Sequence, residues 1–296
     1  MKILLIINPA AGGGKPVFMA EKIAAMFKRR NIKIDIVKTE KKGHGTKLAK
    51  EAVRKRYNVV IAMGGEGTIN EVLNGIVKTK VKLGIIPLGT ENIMATELGI
   101  PFDPIQACKV ILKGKTKMVD VGRVNNRYFL TWATIGYQAD AIHNVERGLL
   151  YKMRSGQRFF NRISVILSGA FALLSKPMAK LSITIGKNKH RVGYSVFIGN
   201  IQKYGGNFQV APYAKIDDGY LDLCILQRKD LIENLKYFVA GYDGKHIYFE
   251  GVEYHKIKKA RIVSFDPAMV QVDGDSMGTT PVEVKVAPKS LRVIVP

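Results

Sequence analysis

Val59-Val60-Ile61-Ala62-Met63-Gly64-Gly65-Glu66-Gly67-Thr68-Ile69-Asn70 decides the fold. Its first five residues are apolar without polar alternation, the pattern of a parallel strand covered by helices on both faces. The run stops at a glycine pair, and Ile69–Val77 continues at helical spacing. A strand that turns through glycines into a helix is built to meet an oxyanion. Glycine lets the backbone come close, and the free N–H groups of the helix start favour negative charge.

The same unit recurs on either side. Lys2–Ile7 is an apolar run that ends in Asn8-Pro9-Ala10-Ala11-Gly12-Gly13-Gly14-Lys15, and a helix is expected over Phe18 to Arg30. Ile32–Val37 reads as a strand and Lys47–Arg56 as a helix. Leu83–Ile86 is a further strand, followed by Pro87-Leu88-Gly89-Thr90-Glu91-Asn92 and a short helix, Ile93–Leu98. In such sheets ligands sit beyond the carboxyl ends of the strands, where this chain places its glycines. A Walker-type loop is excluded, because Pro9 and Pro16 stand where Gly and Ser/Thr are needed. The dinucleotide fingerprint is absent after the first strand.

Beyond about Met118 the texture becomes strand-like. Expected strands are Met118–Val124, Tyr128–Thr134, Lys180–Ile185, Arg191–Ile198, Tyr220–Leu226, Arg261–Phe265, Val270–Val272, Val282–Val286 and Leu291–Val295. Turn signals stand at Asn125-Asn126, Gly186-Lys187-Asn188 and Asp218-Gly219, with helices around Gln157–Leu174 and Asp230–Ala240. The expected fold class is α/β, an N-terminal doubly wound parallel-sheet domain over residues 1–117 with a C-terminal, mostly antiparallel β domain over 118–296. The last strand, near 290–296, can return to the first domain.

Composition narrows the function. The 296 residues carry 47 basic against 24 acidic side chains, a formal charge of +23, which predicts anionic partners. Nucleic acid is not the expected one, since there is no recognition-helix motif and the aromatics do not interleave with basic residues. Two cysteines, Cys108 and Cys224, without metal-ligand spacing favour a reducing compartment. No apolar stretch reaches the ~20 residues of a spanning helix. The expected location is the cytoplasm, with peripheral contact at the inner face of the membrane. Arg147, Lys152, Arg154, Arg158 and Arg162 lie among Leu149, Leu150, Phe159 and Phe160, so 147–177 is the candidate for contact with an acidic membrane surface. Oligomeric state is not legible.

The three loops resemble the catalytic domain of the diacylglycerol kinase family, especially its bacterial-type soluble lipid kinases, related to sphingosine and ceramide kinases. That family reads Asn-Pro with glycines, then Gly-Gly-Asp-Gly-Thr, then Pro-Leu-Gly-Thr-x-Asn. Ala211-Pro212, Asp217-Asp218-Gly219-Tyr220-Leu221-Asp222 and Asp273-Gly274-Asp275 match its later segments in order. The resemblance implies transfer of the ATP γ-phosphate to the hydroxyl of a membrane lipid such as diacylglycerol, in phospholipid biosynthesis. It implies ATP binding by Asn8, Pro9, Ala10, Ala11, Gly12, Thr39, Gly64, Gly65, Glu66, Gly67, Thr68, Ile69, Asn70 and Thr90, with Glu71 and Asn92 supporting the loops. It implies Mg2+ on Asp218 and backbone oxygens of Lys215 and Tyr220, although Asp217-Asp218-Gly219 read alone is a hairpin turn. Asp275 stands at the position of the family's catalytic base, and Glu66 is expected beside the phosphates and their Mg2+.

Two acids depart from the family pattern. Glu66 replaces an aspartate and Asp275 a glutamate, each moving a carboxylate by about 1.5 Å. If both face one reaction centre, the changes are reciprocal. An NAD kinase shares a Gly-Gly-Asp-Gly-Thr loop and a two-domain plan. Against it stand Asp217 to Asp222, the terminal Asp-Gly-Asp and the Pro-Leu-Gly-Thr loop.

Overall fold

Strand β1 (Lys2–Ile7) sits between β2 (Lys33–Lys38) and β3 (Val59–Gly64), parallel to both, and β4 (Lys82–Pro87) continues the sheet beside β3. The computed structural model describes residues 1–11, 15–136, 139, 178–204 and 208–296. Every residue of β3 is buried, as its unbroken apolar run requires. Helices α1 (Lys15–Lys28), α2 (His44–Arg54) and α3 (Glu66–Ile76) connect these strands. Helix α3 buries Ile69, Val72, Leu73 and Ile76, one stripe at helical spacing. A short helix, α4 (Ile93–Glu97), and then α5 (Pro104–Lys113) follow β4. The α5 ends are local chemistry: Asp103 accepts the Gln106 N–H at 2.8 Å, Pro104 fills the first turn, and Gly114 closes it at φ 73°.

The chain forms two compact units. The first comprises Met1–Thr131, Lys215–Gly219 and Ala287–Pro296; the second comprises Trp132–Ala214 and Tyr220–Val286. The first therefore runs past residue 117, where the sequence reading ended it. Strands β5 (Thr116–Val124) and β6 (Arg127–Phe129) form a hairpin that α3 holds. The Asn70 and Asn74 side-chain amides each donate to the Tyr128 carbonyl at 3.0 Å, and the Tyr128 N–H donates to Asn74 Oδ1 at 2.9 Å. The end of the chain also lies in this unit, with Arg292 and Val293 pairing in parallel with Lys82 and Leu83.

The second unit is antiparallel. Its larger sheet runs β12 (Val252–Ile257), β11 (Leu221–Leu226), β10 (Ser195–Gly199), β7 (Trp132–Gly136), β14 (Met269–Val272) and β15 (Asp275–Thr279). Its other strands are β9 (Lys189–Gly193), β8 (Leu181–Ile185), β13 (Lys259–Ser264) and the first residues of β16 (Val282–Ile294). A further helix, α6 (Leu231–Ala240), accompanies them. The fold class is thus as read: a parallel α/β domain followed by an antiparallel β domain.

Several elements differ from the sequence reading. Tyr128–Thr134 is two strands, β6 and β7, which fall in different units. Arg191–Ile198 is also two, because the chain leaves β9 at Gly193 and enters another sheet. A Cβ at Gly193 would lie 2.5 Å from Ile225 Cγ2. Conversely, Val282–Val286 and Leu291–Val295 are one strand, and its Pro288-Lys289-Ser290 stretch does not end it. Strands β12 and β15 and helix α5 were not anticipated. The helix expected at Gln157–Leu174 and the basic segment 147–177 lie outside the described residues, as does Gly12.

Candidate active site

Three loops leave the carboxyl ends of β1, β3 and β4 and touch one another. In the first, the Asn8 N–H donates to the Met63 carbonyl at 3.1 Å, tying the loop to the end of β3. Asn8 Oδ1 accepts the Ala10 N–H at 3.0 Å, and the Ala11 N–H donates to the Asn8 carbonyl at 3.2 Å, so the loop turns on Asn8 across Pro9. Thr39, after β2, donates its N–H to the Ile7 carbonyl at 2.8 Å.

Glycine is required where the second loop meets its neighbours. A Cβ at Gly64 would lie 2.5 Å from Thr68 Oγ1 and 3.3 Å from Asn8 Cβ. A Cβ at Gly89 would lie 2.8 Å from Gly65 Cα and 3.0 Å from Asn92 Oδ1. By contrast, a Cβ at Gly67 meets nothing within 4 Å. The third loop is tied in by the Leu88 N–H, which donates to the Gly64 carbonyl at 2.9 Å, and it closes on itself through Asn92. Asn92 Oδ1 accepts the Gly89 N–H at 2.9 Å, and Nδ2 donates to the Gly89 carbonyl at 3.0 Å.

Glu71 does for α2 what α2 cannot do for itself. Its cap position is Gly43, which has no side chain, and both Glu71 oxygens accept backbone N–H groups there, from Gly43 at 2.6 Å and Gly45 at 2.8 Å. Asn92 thus closes the third loop, while Glu71 holds the start of α2 rather than one of the three loops. Of the expected nucleotide contacts, Asn8, Gly64, Gly65 and Thr68 come together, and Thr90 is exposed on the third loop. Ile69 and Asn70 are both 2% exposed. Asn70 accepts the Arg127 guanidinium at 3.0 Å and donates to Tyr128, so its side chain serves the β5–β6 hairpin. The Glu66 carboxylate is also engaged, accepting the Met94 N–H at 3.2 Å.

The Lys215–Gly219 turn is held by a residue the sequence reading passed over. Asp120 on β5 is fully buried; one oxygen accepts the Gly219 N–H at 2.6 Å, the other the Lys289 N–H at 2.7 Å. Its own N–H donates to the Ile216 carbonyl at 2.8 Å. An acid inside Met118-Val119-Asp120-Val121 was the available signal, because a buried carboxylate needs partners. Asp217 pairs with Lys117 at 3.1 Å, and Asp218 beside it is half-buried. Among the described residues no three His, Cys, Asp or Glu side chains gather as metal ligands. A cation here would rest on Asp218, backbone carbonyls and water, all hard oxygen donors of the kind Mg2+ takes.

Asp275 begins β15 directly after a two-residue turn. Asp273 at φ 45° and Gly274 at φ 84° both occupy the left-handed region that a tight hairpin demands. The turn is fixed to β7, since the Asp273 N–H donates to the Trp132 carbonyl at 2.9 Å and Asp273 Oδ1 accepts the Trp132 N–H at 3.1 Å. Gln271 adds a bond from Nε2 to the Gly274 carbonyl at 3.1 Å. Asp275 pairs with Val272 and is half-buried. The two thiols are free and buried. Burial pushes Cys108 up to about 11 and Cys224 up to about 12, away from the thiolate.

Residues 2–124 match the diacylglycerol kinase catalytic domain model, and residues 134–295 match the YegS C-terminal NAD kinase beta sandwich-like domain. A diacylglycerol kinase of Staphylococcus aureus (strain JH9) is 31% identical over 297 residues, covering 99% of this chain and 91% of that protein. The chain belongs to the diacylglycerol kinase family. A candidate diacylglycerol kinase from Bacillus anthracis str. Sterne superimposes with a TM-score of 0.77 at 25% identity, over 100% of this chain and 97% of that one. A second structure from that organism, a diacylglycerol kinase at 24% identity and a TM-score of 0.72, shows the same fold. Family membership supports a lipid kinase-type function with ATP as phosphate donor. Among the described residues no helix is long and apolar enough to cross a membrane.

Proposed function

We propose that this chain transfers the γ-phosphate of ATP to the hydroxyl of a membrane lipid, with diacylglycerol as the reference acceptor. The observation that carries the reading is the mutual contact of the three loops, Gly64 against Asn8 and Thr68, Gly65 against Gly89. Side chains are excluded where the loops meet, and space is left at Gly67, in the first turn of α3. Backbone N–H groups with the α3 start behind them suit an anionic polyphosphate. In this reading Asn8 to Gly12, Thr39, Gly64, Gly65, the Glu66 backbone N–H, Gly67, Thr68 and Thr90 hold ATP, while Ile69 and Asn70 support the turn from behind, buried in α3 with the Ile69 N–H donating to the Gly65 carbonyl at 3.2 Å.

Phosphoryl transfer asks little covalent work of a protein beyond alignment, charge neutralisation and a proton acceptor. Asp275 is the proposed acceptor, taking the proton of the lipid hydroxyl as that oxygen attacks phosphorus. Its rigid turn suits that task, since the carboxylate is delivered from an anchored hairpin. Mg2+, when bound, neutralises charge on the phosphates, and Asp218 with the Lys215 and Tyr220 carbonyls would hold a further ion. An acidic membrane surface is the proposed docking partner for a chain of charge +23.

The experiment is incubation with γ-labelled ATP, Mg2+, NAD and a total lipid extract, followed by identification of the labelled product. Wild type is expected to give one labelled phospholipid. Asp275→Asn should lower the rate by ~100-fold or more, the usual contribution of a general base, with ATP KM little changed. An equally active Asp275→Asn removes Asp275 as base; a labelled NAD product in place of lipid favours the NAD kinase reading.

A further inference from the structure

The third loop is fastened to the second at both ends. At its start the Leu88 N–H donates to the Gly64 carbonyl at 2.9 Å. At its finish the Met94 N–H donates to Glu66 Oε1 at 3.2 Å. Between these points Asn92 draws the loop in on Gly89, whose backbone lies against Gly65. Met94 belongs to the first turn of α4, where N–H groups have no partner inside the helix. Met94 is also fully buried, so a bond lost there is not readily replaced by water.

We infer that Glu66 is a positioning residue, whose carboxylate pins the start of α4 to the start of α3 and thereby fixes the shape of the loop from Gly89 to Asn92. The inference rests on the reading of that loop as part of the ATP site. It gives the extra methylene at position 66 a use within one unit. At the observed backbone spacing an aspartate would fall about 1.5 Å short of the Met94 N–H. What the bond needs is reach and an acceptor oxygen, and an amide side chain of the same length offers both. The longer acid is then explained without a compensating change at Asp275.

Three variants of the full chain, Glu66→Gln, Glu66→Asp and Glu66→Ala, separate this role from a direct one. Two readouts are needed: hydrogen exchange of the Met94 amide in nucleotide-free protein, and ATP KM with kcat on diacylglycerol vesicles. Glu66→Gln should keep Met94 exchange and ATP KM within about threefold of wild type, while Glu66→Asp and Glu66→Ala raise both about tenfold and move kcat less. Slow Met94 exchange in Glu66→Ala and Glu66→Asp would overturn the inference. So would a Glu66→Gln protein with Met94 protected but turnover lost beside an active Glu66→Asp, since the charge itself would then do the chemistry. Should wild type lack ATP-dependent turnover, the kinase reading fails separately, and Met94 exchange still decides whether the pin exists.

Discussion

The loops of the first unit and the Asp273-Gly274 hairpin of the second are fixed by opposite means. The loops are shaped by what is missing: a Cβ at Gly64 or Gly89 would strike Thr68 or Gly65 within 3 Å. The hairpin is shaped by what is added, with Asp273 and Gln271 side chains bonding the turn and its neighbour β7. The difference suits the two tasks. In the proposed function phosphates would be met by backbone, which must come close, whereas the proton acceptor would be one side chain that must be aimed.

Breaking the first region should have the larger effect. Gly89→Ala forces the third loop off Gly65, and a shift near 1 Å in a positioning loop can cost ~100-fold in kcat/KM for ATP. The control is Gly67→Ala, whose added methyl meets no protein atom. It should leave urea stability unchanged or raised by ~0.5–1 kcal/mol, as expected for a helical position. A loss of urea stability in Gly67→Ala equal to that in Gly89→Ala would show that crowding at the loop junction is not what matters. In the second region, Gln271→Leu removes one partner of the buried Thr134 hydroxyl, at 3.4 Å, and frees the Gly274 carbonyl. A cost of ~1–3 kcal/mol in urea denaturation is expected. No measurable cost would mean that Asp273 alone holds the turn.

The same contrast explains what the sequence could tell. The first unit was legible because β1, β3 and β4 are buried, mostly apolar runs and each is followed by a loop that carries glycine. Its helix α5 was missed although Asp103-Pro104 and Gly114 are end signals and Ala107, Cys108, Val110 and Ile111 keep helical spacing. Strand β12 hid because Val-Glu-Tyr-His-Lys-Ile is mostly half-buried. Strand β15, Asp-Ser-Met-Gly-Thr, has little β-propensity and exists through its turn and its pairing with β14. Asp120 and the Glu66–Met94 bond rest on partners distant in sequence, which no local pattern names. Asp275 stands out only through the order of family segments, since nothing in the sequence around it marks the proposed role.

The most direct measurement gives the wild-type protein γ-labelled ATP, Mg2+, diacylglycerol vesicles and NAD together, and follows the label into organic and aqueous phases. The account predicts label in the organic phase as the phosphorylated lipid, dependent on Asp275. Label found only in phosphorylated NAD, or released as inorganic phosphate with none on lipid, would contradict it.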